Sequence, residues 1–165
     1  ADARARKLAQ KLLDANPNDR TGLFVITLAN GMEADYDALI AKRDIESVVL
    51  LHKTKKTARK LLAIDPSADD AYLALGAANY IIGCLPAYKR FFLGLGGIHG
   101  SRTLGMHQLQ LAAERGHYLK PFAKAMLALA ALREKQPGLA RKLFSELHAQ
   151  FPENDVFSSE LGKLR

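Results

Sequence analysis

Residues 121 to 154 read PFAKAMLALAALREKQPGLARKLFSELHAQFPEN, and they decide the fold. Their apolar residues recur at helical rather than alternating spacing, which predicts helices over about 121–135 and 138–150. Pro137 sits between the two, where a turn is needed. Pro152 ends the second, because a proline disfavours helical geometry in the residue before it. Ala128, Ala131 and Ala140 are small enough to let the two helices approach closely, and Phe144 is placed to fill the groove between one hairpin and the next.

Working outward, the end of this unit is echoed twice. Ala9 to Pro17 ends a helical phrase in Asn-Pro, Ala58 to Pro66 ends one in Asp-Pro, and Ala140 to Asn154 ends through Phe151-Pro152. Polar residues follow each proline and are expected to cap the next helix: Asn18 and Asp19, Ser67 and Asp69, Asn154 and Asp155. The prolines at 17 and 66 lie 49 residues apart, so the paired helices between them are long. Leu28, Met32, Tyr36, Leu39 and Ile40 recur at helical spacing in the first of these. The coarse map is helices over 2–15, 20–41, 45–64, 69–84, 101–115, 121–135, 138–150 and 155–164, with 86–100 a loop that has room for one helical turn.

The 34 residues from 121 to 154 have the period of a tetratricopeptide repeat and resemble one. Leu127-Ala128 stands for its Leu-Gly pair, Ala131 follows, and Ala140, Phe144, Leu147 and Pro152 match the small, aromatic, small and proline positions of its second helix, with Leu147 where that family usually has Ala. Tyr72, Leu75, Gly76 and Asn79 resemble the opening of another first helix, and Leu161-Gly162 a further one. The stretch with Gly100, Arg102, Gly105, Leu109, Ala112 and Gly116 is similar to the second helix of long-helix proteins of the Iml2/tetratricopeptide-39 type. The resemblance implies an all-α fold, a single domain over 1–165 in which antiparallel helical hairpins stack as a right-handed solenoid. It further implies a non-catalytic protein–protein interaction scaffold that takes a partner peptide or helix in a groove lined by the first helices. With those helices facing inward, the liners are Asn30, Glu33, Tyr72, Asn79, Tyr80, Lys124 and Arg133.

Composition agrees with such a domain. Of 165 residues, 48% are hydrophobic and 25% charged, Ala and Leu are abundant, and there is no Trp. No apolar run reaches the length that crosses a bilayer. The chain opens at Ala1 without Met, so an upstream segment is expected to have been removed or left out; a soluble protein of either cytoplasm or periplasm fits. Cys84 is the sole cysteine and reads as a small hydrophobe rather than a nucleophile. The net charge of +7 favours an acidic peptide or an anionic lipid surface; nucleic acid is not expected, since no recognised binding module is present. Ends cut in mid-repeat would allow the chain to oligomerise.

Four stretches invite a more specific chemistry. Gly94 to Ser101 is Gly-rich and precedes a helix, but Gly100 stands where a phosphate loop needs Lys; it is read as a connection with Ser101 as helix cap, leaving weak anion binding by Ser101 and Arg102 as the alternative. His99, His107 and His117 are eight and ten apart, which is not a metal-ligand spacing, and neither a metal nor a cofactor is expected. Lys53, Lys55, Lys56, Arg59 and Lys60 are read as a solvated outer face. Pro86 to Gly94 packs Tyr88, Lys89, Arg90, Phe91 and Phe92 into a short connection. Phe91, Phe92 and Leu93 are expected to plug the gap between hairpins; the alternative makes Tyr88, Arg90 and Phe92 partner anchors, or gives the loop 86–105 a small ligand or anionic lipid to bind.

Overall fold

The computed structural model describes residues 2–39 and 44–164, with side chains over 3–34 and 47–164. Among these residues the chain is all-α, with no strand. The helices are α1 (Asp2–Ala15), α2 (Arg20–Leu39), α3 (Asp44–Ile64), α4 (Ala71–Cys84), α5 (Ala87–Leu95), α6 (Arg102–Arg115), α7 (Lys120–Arg133), α8 (Pro137–Gln150) and α9 (Asp155–Lys163). Their bounds follow the sequence reading closely, except in one place. The segment 86–100, expected to be a loop, holds the nine-residue helix α5. The expected end of the second helix at 41, Ile40, and the side chains of Tyr36 and Leu39 lie outside the described residues.

Each of the three proline-ended phrases closes in the same main-chain turn, and the two Asx-Pro copies add a side-chain bond. Proline has no N–H to give, so the residue after it is held by the side chain before it. The Asn16 side-chain oxygen accepts from the Asn18 N–H at 3.0 Å, and Asp65 accepts from the Ser67 N–H at the same distance. In all three copies the chain closes by a main-chain bond over three residues: Asp19 to Asn16, Ala68 to Asp65 and Asn154 to Phe151. Asp19 then caps α2 through the Gly22 N–H, and Asn154 caps α9 through the Val156 N–H. The middle helix differs from expectation, because neither Ser67 nor Asp69 caps α4. Ser67 donates back to Asp65, and the residue at the start of α4 is Asp70. Its buried carboxylate reaches across to accept from the N–H groups of His117, Tyr118 and Leu119, at 3.0, 3.0 and 2.9 Å, so it holds the start of α7 instead of its own helix.

Consecutive helices pack on one another through the chain, with α5 passed over so that α4 lies directly on α6. In addition α2 touches α4, and α4 touches α7. The helices α2, α4 and α7 thus form one contiguous layer. The largest core cluster joins α4, α6, α7 and α8 through Tyr80, Leu109, Leu127, Phe144 and Leu147 among others, with Ala128, Ala131 and Ala140 fully enclosed. The spacing of residues 121 to 154 therefore picked out buried positions correctly.

The α4–α6 contact is made by backbone. Added methyl groups at Gly76, Gly83, Gly100 and Gly105 would each stand under 3.0 Å from main-chain atoms of the facing segment. The glycines of the 94–105 stretch that lie nearest α6 therefore serve close approach, as small residues do at tight helix contacts. Gly97, at φ 75°, has a different job. It ends α5 in a Schellman motif, with the Ile98 N–H on the Leu93 carbonyl and the Gly97 N–H on that of Gly94.

Candidate functional site

The expected groove liners divide sharply. Asn30 is buried and its side chain accepts from Arg6 of α1 at 2.6 Å; exposed Glu33 pairs with the same Arg6, also at 2.6 Å. Asn79 is buried and donates to Gln108 of α6 at 2.7 Å. Tyr80 is buried on Gly105, and its hydroxyl lies 3.3 Å from the Ala130 carbonyl and 3.2 Å from the Glu134 carboxylate. Burial first, then the neighbouring Cys84 thiol and Glu134, push its phenol well above the usual range, so it remains a neutral donor. Tyr72 is half-buried between two core clusters, and Lys124 turns to Glu146 of α8 at 2.6 Å. Five of these seven side chains thus tie helices together; Tyr72 packs between clusters, and Arg133 is exposed on α7.

The exposed side of the α2–α4–α7 layer is lined differently. At 100° per residue, Phe122, Leu129 and Arg133 share one side of α7, opposite its buried alanines and Leu127. Phe122 is 68% exposed and Leu129 53%. On α4 the corresponding side, away from the buried residues, carries Leu73, Ala77 and Ile81, all half-buried. On α2 it carries Phe24, Leu28 and the exposed Met32. Phe24 and Tyr118 meet at 6.4 Å between ring centroids, so the first helix of the layer reaches the entrance of the last. Beside this contact, the turns before α2, α4 and α7 enclose a cleft of about 770 Å³ floored by Leu61, with Arg20, Asp65 and Asp70 on its wall. Arg20 and Asp65 form an ion pair there.

The second exposed feature is α5. None of its residues is buried, and it takes no substantial part in the helix packing. Its axis turns by 119° from that of α4. Phe91 and Phe92, expected to plug the gap between hairpins, are 64% and 67% exposed and meet edge to face at 5.7 Å. Tyr88 is exposed as well, Arg90 leans back towards the Gly83 carbonyl at 3.5 Å, and Leu93 is half-buried. The reason is geometric. A helix rather than a loop puts the aromatics on one side, and after the Gly97 turn it is Ile98 that packs on the core, against the cluster of Leu51, Ala78 and Ile82.

Ser101 caps α6 by accepting from the Leu104 N–H at 3.3 Å, and Arg102 pairs with Glu134 at 3.3 Å. Both weak anion-site candidates therefore already have protein partners. Among the described residues no His, Cys, Asp or Glu cluster is set to hold a metal ion, and no single helix is long and apolar enough to cross a membrane. Of the basic cluster on α3, Lys53, Lys56, Arg59 and Lys60 are exposed, with Lys60 donating to the Pro17 carbonyl. Lys55 departs from the outer-face reading. It is buried and donates to the His99 carbonyl, pinning the loop after α5, and burial followed by the charge of Arg59 lowers its pKa. Cys84 is half-buried beside the main core. No family model, no curated protein and no solved structure matches the chain.

Proposed function

We propose that the chain is a non-catalytic protein-interaction scaffold, built as a tetratricopeptide-like right-handed stack of helical hairpins, that seats a partner peptide or helix on the exposed side of α2, α4 and α7. The observation that carries this reading is the exposure of Phe122 and Leu129, seven residues apart on one side of α7, a helix in contact with α4, whose own side away from its buried residues carries the half-buried Leu73 and Ala77. Two large apolar side chains at that spacing, on a layer with an apolar floor, suit the i, i+3, i+4, i+7 anchors of an amphipathic helix or the alternate side chains of an extended peptide. Arg133 on the same side of α7 favours an acidic residue in the occupant. The internal repetition of the Asx-Pro turn and the α2–α4 and α4–α7 contacts support the hairpin stack.

Selection of binders from a displayed random-peptide library tests the reading, followed by calorimetry with Phe122→Ser/Leu129→Ser. The selected peptides are expected to carry apolar residues at helical spacing, and to lose at least about tenfold in affinity for the double variant at unchanged melting temperature. Peptides that bind the variant as well as the parent would refute the placement of the site.

A further inference from the structure

We propose that α5 docks on the surface of an anionic lipid bilayer, with Tyr88, Phe91, Phe92 and Leu95 entering the boundary between headgroups and acyl chains. The four residues fall at i, i+3, i+4 and i+7, so they form one stripe about 100° wide on the helix. All four are exposed, whereas Leu93 on the opposite side is half-buried. A soluble domain rarely shows so many large apolar side chains on one short element unless something covers them.

Geometry and charge choose the occupant. The helix turns 119° from α4 and makes no substantial contact with another helix, so its apolar stripe is not taken up by the packing of the domain. A groove-binding partner would need side walls, and α5 supplies none. Charge then favours an anionic surface. No Asp or Glu occurs from Ala71 to Ala113, where Lys89, Arg90 and Arg102 lie, nor from Ser47 to Ile64, where the exposed Lys53 and Lys56 of α3 lie. The bond from Lys55 to the His99 carbonyl brings that part of α3 against the loop that follows α5. Among the described residues, Glu134 at the end of α7 comes to this region and is paired with Arg102. The sequence from the end of α2 to the start of α3 is acidic by contrast, with Asp35, Asp37, Asp44 and Glu46 against Lys42 and Arg43. A short amphipathic helix with aromatic anchors and basic surroundings binds an interface by summing apolar insertion with attraction to anionic headgroups.

This inference is independent of the partner site on α2, α4 and α7, and its test uses a different face. The chain contains no Trp, so Phe92→Trp supplies a reporter of its own. With vesicles of phosphatidylcholine and phosphatidylglycerol, the Phe92→Trp protein is expected to show a blue-shifted emission and to co-sediment. With phosphatidylcholine alone, and at high salt, binding is expected to weaken severalfold. In the chain without Trp, Phe91→Ser/Phe92→Ser is expected to reduce co-sedimentation by at least about tenfold at unchanged melting temperature, because both side chains are already exposed. Failure to bind the mixed vesicles, equal binding by the double variant, or a lipid-free dimer that this variant dissociates would each overturn the proposal. Peptide binding through Phe122 and Leu129 is expected to survive the Phe91→Ser/Phe92→Ser change, which separates the two readings.

Discussion

Gly105 of α6 lies flat against the main chain of Tyr80 in α4, so close that a methyl group on it would stand 2.5 Å from the Tyr80 nitrogen. The contact fixes the rotation of α4. It buries Asn79 and Tyr80 and leaves Leu73 and Ala77 towards the open side of the layer. Gly105→Ala must push two backbones apart, for which overpacking costs of about 2 kcal/mol are usual. A fall of that size in urea-unfolding free energy is expected, whereas Gly138→Ala, with open space around it, should change little.

Asp70 is the second fixed point. Its carboxylate satisfies three N–H groups at the entrance of α7, and an added methyl at Gly116 would stand 2.9 Å from it. Asp70→Ala leaves those donors without their partner and is expected to cost about 3 kcal/mol, as for a buried charge-assisted network. Asp69→Ala, one residue away, is expected to cost under about 0.5 kcal/mol. Thermal melts of the two variants compare them directly.

Lys135 ends α7 at φ 58°. The Gln136 N–H bonds the Ala131 carbonyl and the Lys135 N–H that of Leu132, the same motif that Gly97 completes after α5. A side chain in this left-handed conformation costs about 1 kcal/mol relative to glycine. Lys135→Gly is therefore expected to raise the melting temperature, an uncommon result for a change to glycine.

The Lys124–Glu146 pair carries a pH signature. The bond from the Lys124 ammonium holds the Glu146 carboxyl below its ordinary range, with the charges of Lys124, Lys142 and Lys120 adding to the effect against some burial. A depressed carboxyl contributes stability that is present above its unfolded pKa and lost as the pH falls through its folded one. Lys124→Met is thus expected to be destabilised by about 0.5 kcal/mol at neutral pH, a magnitude set by partial solvent exposure. The deficit should close once the pH is below the carboxylate range; chemical unfolding at several pH values reads it.

The turns and helix ends were legible because proline and Asx side chains act locally: Asn16 and Asp65 announce their turns, and Asn154 its helix cap, without help from the rest of the chain. The buried face of the 121–154 hairpin was legible for a similar reason, since Ala128, Ala131 and Phe144 report volume directly. The rotation of α4 was not, because it depends on what lies across from it. Tyr72, Asn79 and Tyr80 line a groove only if the first helices of the hairpins face inward, yet Gly76 and Gly83, seven apart, mark the side on which another backbone rests, and Asn79 and Tyr80 share that side. The spacing of Tyr88, Phe91, Phe92 and Leu95 was equally visible. Phe91 and Phe92, with Leu93, read as a plug because aromatics usually bury, and nothing local reveals that α5 makes no substantial contact with the other helices.

The central claim is that a partner sits on the α2–α4–α7 side. Photo-cross-linking tests it most directly, with a benzophenone amino acid placed at Leu129 on α7 or, for comparison, at exposed Ser145 on α8, each mixed with a library-selected peptide. A covalent adduct is expected from position 129 and none from position 145. An adduct from position 145 alone, or equal yields from both, would contradict it.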